Sequence, residues 1–299
     1  MSGRAQVIAI FGPTGIGKTA VAIALADQLR ERGEDPMAIS ADALQVYRGL
    51  ETLSGAATPE EQARLEHRLL GIVPATEAFS VGEFMPLAHR EIDDALSAGR
   101  TPIVVGGTGL YLRAALTDLS LKPPPGPGVR ERLERELAAR GRAELHERLR
   151  EIAPSTAAAI EPSDRSRIIR ALELAETGEL DDEPPEESEL WTGETRRPTQ
   201  LVGLVMDREA LYEAIDRRVD AMVAAGAGDE VRRANAAGAS RTARAALGFQ
   251  ELLEGDVDAM KRRTRNYAKR QLTWMRKLPG VQVIDVTGRE PADVAAEIA

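Results

Sequence analysis

The octapeptide Gly12-Pro13-Thr14-Gly15-Ile16-Gly17-Lys18-Thr19 constrains this chain more than any other stretch. It follows the apolar run Gln6 to Phe11 and precedes Ala20 to Arg32, an Ala-, Leu- and Ile-rich segment with helical spacing. A strand, a glycine-rich turn closed by Lys-Thr, and a helix make up the P-loop pattern. Glycines let successive N–H groups converge on phosphate oxygens at the positive end of the following helix. Gly12, Pro13, Thr14, Gly15, Ile16, Gly17, Lys18 and Thr19 are therefore predicted to hold a diphosphate or triphosphate. In that arrangement the Lys18 ammonium faces the terminal phosphates and the Thr19 hydroxyl faces Mg²⁺.

The rest of the chain extends this start into an α/β fold. Apolar runs at Pro36 to Ser40 and Pro102 to Val105 alternate with a helical pattern over Phe84 to Ala98. Such alternation implies a parallel sheet covered on both faces. At Lys122 the stretch KPPPGPG breaks the pattern. Val129 to Ile152 and Ser155 to Glu176 are then charged, amphipathic and helical, and the acidic stretch Gly178 to Glu189 reads as a solvated, flexible loop. A strand pattern returns at Gln200 to Met206, followed by helices over Glu209 to Ala225 and Val257 to Lys277 and a strand over Val281 to Val286. The expected architecture is a P-loop α/β core of residues 1–122 and 199–299 with a helical insert, 123–198.

Composition removes several kinds of chemistry. The absence of cysteine among 299 residues excludes a disulfide framework, a thiol nucleophile and a Cys-ligated zinc. Three dispersed histidines (His67, His89 and His146) do not suggest a metal cluster, and His67 is given a structural role. No apolar run reaches the roughly 18 residues of a membrane span, and the N-terminus has no signal-peptide pattern, so a cytoplasmic monomer is expected.

The net charge of −9 hides a strong asymmetry. Ten acidic residues and no basic one lie between Ala171 and Thr195, whereas eight basic residues and no acidic one lie between Ala259 and Lys277. On a helix Arg262, Arg265, Lys269 and Arg276 share one face, and Met260, Thr264, Ala268 and Met275 form a packing stripe roughly opposite. Eight cations without a compensating anion, Arg270 among them, point to a nucleic-acid backbone. Tyr267 and Trp274 are assigned to the core.

The strand Pro102 to Val105 ends in Gly106-Gly107-Thr108-Gly109, without the acidic residue a P-loop hydrolase places there. A carboxylate instead follows the second strand, in Ser40-Ala41-Asp42-Ala43-Leu44-Gln45. Ligands of open parallel sheets bind outside the carboxyl ends of the strands, so Asp42 and Thr108 should project towards the phosphates. Taken alone, Asp42 serves as well for a helix N-cap as for a base.

Five segments in this order, GPTGIGKT, SADALQVYRGL, GGTGLYLRAAL, DRSRIIRALEL and RTRNYAKRQLTW, resemble the tRNA dimethylallyltransferase (tRNA isopentenyltransferase) family over about residues 6–279. The resemblance implies a P-loop core with a helical insert. It also implies transfer of a dimethylallyl group from dimethylallyl diphosphate to N6 of adenine 37 in a tRNA anticodon loop, with Mg²⁺ as cofactor. By the same resemblance Asp42 is the general base, and Thr19 and Arg218 contact the diphosphate. The implied tRNA contacts begin with Asp42, Ala43, Leu44, Gln45 and Thr108. They continue with Ser166, Arg167, Ile168, Ile169 and Arg170. A third segment is Ala245, Ala246, Leu247, Gly248, Phe249 and Gln250, and the last is the basic helix around Thr264 to Gln271.

Five positions depart from the family pattern. Ala43 stands where Ser is usual, Thr58 where Lys is expected, Phe249-Gln250 where Tyr-Lys is usual, and Ala214 where an Arg is expected. Three rival readings remain at this level: a small-molecule adenylate isopentenyltransferase, a P-loop kinase or NTPase, and a non-catalytic RNA-binding protein. The acceptor used, ATP turnover, and the joint presence of a P-loop and Asp42 discriminate among them.

Overall fold

The computed structural model describes residues 6–126, 128–182 and 189–299. Among the described residues eight short strands form: β1 (Val7–Phe11), β2 (Pro36–Ser40), β3 (Tyr47–Arg48), β4 (His67–Arg68), β5 (Val73–Pro74), β6 (Thr101–Gly106), β7 (Thr199–Val205) and β8 (Gln282–Asp285). Six of them make one sheet in the order β4-β2-β6-β1-β7-β8, parallel at every pairing. β3 and β5 pair separately. β1 lies between β6 and β7 and is buried along its whole length, which is why VIAIF is continuously apolar instead of alternating. Ile8, Ile10, Ile103, Val202, Leu204 and Ile284 pack from the sheet against Val21, Leu25 and Leu29 of the helix Lys18–Glu31.

The chain divides into two compact units, Met1–Leu119 with Leu190–Ala299, and Ser120–Glu189. Residues 190–198, expected in the insert, lie with the first unit. Trp191 packs on Trp274 at 4.6 Å between ring centroids, and the Arg196 N–H donates to the Leu116 carbonyl at 2.8 Å. The second unit contains the helices Val129–Arg140, Arg142–Ile152, Pro154–Ala158 and Arg165–Thr177. The helical pattern over 129–152 is thus interrupted at Gly141, whose φ of +87° leaves the helical region. The second pattern is interrupted before Asp164, whose carboxylate accepts from the Arg167 N–H at 3.1 Å and starts a new helix. Leu133, Leu137, Leu145, Leu149, Ile168 and Leu172 form this unit's own core. Of the acidic stretch 178–189, residues 183–188 lie outside the described residues. Among the described residues no helix is long and apolar enough to cross a membrane.

Candidate active site

Three strand ends converge. β1 runs into the P-loop, β2 into Ala41-Asp42, and β6 into Gly107-Thr108, all at the carboxyl edge of the sheet. Gly15 and Gly17 take φ of +83° and +93°, values that admit glycine most readily. Gly17 is the N-cap of the helix Lys18–Glu31 and supplies no capping side chain, so the first N–H groups remain available to an anion.

Lys18 is half-buried. Its Nζ donates to the Gly12 and Pro13 carbonyls at 2.9 and 3.0 Å. Burial pushes its pKa down to about 8, the Arg218 charge adds to the fall, and Asp42 opposes it. Arg218, also lowered by burial and supported by Asp42, reaches back to the Ser54 and Gly55 carbonyls at 3.4 and 3.3 Å. A Cβ on Gly55 would sit 1.8 Å from Arg218 Nη2, so a glycine is what admits the guanidinium here. Lys18, Arg218 and Asp42 therefore form one electrostatic cluster, as the P-loop spacing and the family resemblance together predict.

The Lys18 value has a direct consequence for binding. The ammonium is the form that attracts a diphosphate, and it is lost as pH rises through about 8 in the free protein. Affinity for inorganic diphosphate should be level below that pH and weaken by up to about tenfold per unit above it. A profile flat to pH 10 would remove Lys18 from phosphate binding.

Asp42 begins a turn, not a helix. Its Oδ1 accepts from the Leu44 N–H at 2.9 Å, while Oδ2 has no hydrogen bond to any described residue. The capping alternative accounts for one carboxylate oxygen and leaves the other for chemistry. Beside it, Thr108 Oγ1 lies 3.5 Å from the Ala43 nitrogen and 3.2 Å from the Tyr267 hydroxyl. Burial and the Asp42 charge push the Tyr267 phenol up to about 12, so it stays a neutral hydrogen-bonding group. Tyr267 thus belongs to the site rather than to the core alone. Trp274 covers Gly109, where a Cβ would sit 2.2 Å from the indole ring.

The departure at Thr58 has a local physical reason. Its hydroxyl accepts from the Glu61 N–H at 3.2 Å and the Glu61 carboxylate accepts from the Thr58 N–H at 2.8 Å, a reciprocal cap on the helix Pro59–Arg64. Upstream, the Glu230 carboxylate accepts from the Thr52 and Leu53 N–H groups at 3.0 and 2.9 Å. This buried anchor for the loop after Asp42 carries no sequence signal.

The implied RNA segments divide by exposure. In the second unit Ser166 and Arg167 are exposed, but Ile168 and Ile169 are buried in its core and contribute no side chain to a surface. Arg170 is engaged by the Lys122 and Pro123 carbonyls and by the fully buried Glu173. In the segment 245–250, Ala245 and Gln250 are exposed and Leu247 is half-buried. Ala246, Gly248 and Phe249 are internal, and Gly248 (φ +93°) is pressed against Met260.

On the helix Val257–Met275 the buried residues are Met260, Thr264, Ala268, Gln271 and Met275, the stripe the periodicity predicts with Gln271 added. The expectation of uncompensated cations is corrected, because anions arrive from the helix's own N-cap, Asp256, and from other elements. Lys261 pairs with Asp220 at 2.6 Å, Arg262 with Asp256 at 3.9 Å, Arg263 with Glu251, and Arg265 with Asp216. Lys269, Arg270, Arg276 and Lys277 have no carboxylate partner among the described residues. Arg270 and Lys277 lie over the rings of Tyr267 and Trp191, at 5.4 and 5.2 Å. Lys269 and Arg276 line a groove of about 470 Å³ with Arg208 and Tyr212.

Comparison with known proteins agrees with this geometry. The IPP transferase family model matches residues 45–278, and the isopentenyl transferase model matches residues 5–80. A tRNA dimethylallyltransferase of Exiguobacterium is 40% identical over 284 residues, covering 91% of this chain and 88% of that relative. One from Thermobifida fusca is 40% identical over 287 residues, covering 92% and 88%. The crystal structure of the tRNA isopentenylpyrophosphate transferase of Bacillus halodurans superposes with a TM-score of 0.70 at 35% identity, covering 99% of this chain and 94% of that one. A eukaryotic dimethylallyltransferase acting on tRNA gives 0.70 at 25% identity, covering 95% and 74%. A parallel sheet carrying a P-loop, a free carboxylate oxygen at the next strand end and these matches over most of its length lead to one conclusion: the chain belongs to the IPP transferase family.

Proposed function

We infer that this chain transfers the dimethylallyl group of dimethylallyl diphosphate to N6 of adenine 37 in the anticodon loop of tRNA. The observation that carries this reading is the meeting of Asp42 and Lys18, from neighbouring strand ends, with Arg218 of the helix Arg208–Ala224, and with Thr108 and Tyr267 beside the carboxylate. The exocyclic amine of adenine is a weak nucleophile, because its lone pair is delocalised into the ring. Asp42 Oδ2 accepts a hydrogen bond from that amine and takes its proton as N6 attacks the allylic carbon. The carbon–oxygen bond breaks and diphosphate leaves with the electron pair. Lys18, Arg218 and the amides of residues 15–19 stabilise the growing negative charge. The target base lies in a loop, so flipping it into the site costs only a few kcal/mol.

Mg²⁺ fits the donor set. The Thr19 hydroxyl has no hydrogen bond to a described residue, and no group of three or more acidic or histidine side chains forms a protein cage among those residues. A hard cation that keeps most of its waters and binds through phosphates suits a single hydroxyl ligand. Thr19 would hold the ion, which would supply neutralisation of charge on the diphosphate.

The acceptor test is prenylation of an anticodon stem-loop RNA set against AMP and ATP at equal concentration. Preference for the stem-loop supports the reading, whereas preference for a free nucleotide transfers the chain to the small-molecule prenyltransferases. The ion pairs refine what the basic helix should do. Arg270→Ala should weaken RNA binding to a similar degree for different tRNA sequences, and lower the slope of log K against log salt by up to about one unit. Arg265→Ala should do less, since its charge is already met by Asp216. Equal slopes for wild type and Arg270→Ala would make this flank of the helix a solvated face.

A further inference from the structure

Gln271 stands in the buried stripe of the helix Val257–Met275 and is 4% exposed. Its side-chain amide joins two loops. Oε1 accepts from the Thr14 N–H at 2.9 Å, and Nε2 donates to the Gly107 carbonyl at 2.8 Å. A backbone donor on one side and a backbone acceptor on the other admit only this orientation of the amide. Thr14 belongs to the phosphate loop, and Gly107 precedes Thr108. The space for the contact comes from Gly107, where a Cβ would sit 2.4 Å from Gln271 Nε2 and 3.3 Å from Lys18 Nζ.

We propose that Gln271 is a positioning residue that ties the diphosphate loop and the Thr108 loop to the RNA-facing helix, so that RNA binding and diphosphate binding are coupled through its amide. The proposal rests on the prenyl-transfer reading above and assigns its internal coordination. A buried amide with both partners satisfied is costly to leave unpaired, so a shift of the helix when RNA docks is transmitted to Thr14 and Gly107 together. Coupling of this kind is reciprocal: RNA changes diphosphate affinity by the factor that diphosphate changes RNA affinity.

The test measures binding of inorganic diphosphate with Mg²⁺ to the full chain, with and without a saturating anticodon stem-loop RNA. Neither ligand turns over, so failure of the coupling and failure of the prenyl-transfer reading are seen separately. Wild type should show a coupling factor of at least about fivefold. Gln271→Met, similar in length but unable to hold either loop, should bring the factor, measured at saturating RNA, close to one. Gly107→Ala tests the same contact from the other side. It forces the amide away while the helix sequence is unchanged, and should also lower the factor. Absence of coupling in wild type overturns the proposal, as does a wild-type factor in whichever of the two variants folds.

Discussion

Replacing Asp42 by asparagine is expected to lower turnover at saturating substrates by roughly 10²–10⁴-fold, the span associated with loss of a positioned general base. Asparagine separates the two roles the residue could play. Its amide oxygen can still accept the Leu44 N–H bond now made at 2.9 Å, so the turn after β2 is kept. What it lacks is a basic oxygen in the place of Oδ2. Affinity for RNA should therefore change little, and diphosphate affinity should rise slightly or stay level, because a negative charge near Lys18 and Arg218 is removed. Single-turnover kinetics with enzyme in excess reads the chemical step directly. A rate within threefold of wild type would make Asp42 a turn residue only.

Lys18→Ala is expected to produce the second large loss. The ammonium lies against the Gly12 and Pro13 carbonyls with Arg218 nearby, so its charge is held in place, partly shielded from solvent, where it stabilises a leaving group. The kcat/KM for dimethylallyl diphosphate should fall by about 10²–10³-fold, comparable to removing one donor from an oxyanion site. RNA affinity measured without donor should be nearly unchanged. Lys18→Arg should not restore activity, since a planar guanidinium does not fit a site shaped by two carbonyls around one point charge. Normal donor kinetics accompanied by loss of ATP binding would place the chain with the P-loop kinases.

The α/β core was legible because continuous apolar runs, glycine turns and helical spacing all follow from local chemistry. β1, the P-loop and the helix after it lie where VIAIF, GPTGIGKT and the following Ala-rich segment put them. Less legible were the helix starts. The helix expected from Phe84 begins at Val81, because Ser80 and Glu83 form a reciprocal cap that the apolar pattern alone does not weigh. Short strands such as β4 and β5 are defined by their partners rather than by their own sequence.

In the site, the P-loop carries a sequence signal strong enough to be found unaided; the strand pattern placed Asp42 at the sheet edge but left it between a cap and a base, and its role, like Arg218, came from the family pattern. Gln271 was placed only at the end of the RNA-contacting segment Thr264 to Gln271, and its bridge to the two loops was missed, although a polar residue in the buried stripe with Thr264 and Met275 is a usable signal. Tyr267 was hidden by the general rule that aromatics in a chain with 3% aromatic residues are core. The pairing of Arg265 with Asp216 joins residues 49 positions apart and depends on two helices lying side by side. Charge along one helix could not reveal it. Ile168 and Ile169 show the reverse limit: a segment matched as RNA-contacting still spends two of its side chains on its own core.

The most direct test of the whole account is incubation of the chain with labelled dimethylallyl diphosphate, Mg²⁺ and bulk tRNA from a strain lacking the modification, followed by nucleoside mass analysis. The account predicts label in one modified nucleoside, adenosine carrying a dimethylallyl group on N6, mapped to position 37, and none when Asp42→Asn replaces wild type. Label on free nucleotides instead of tRNA, on a base other than adenine, or undiminished in the Asp42→Asn reaction would contradict it.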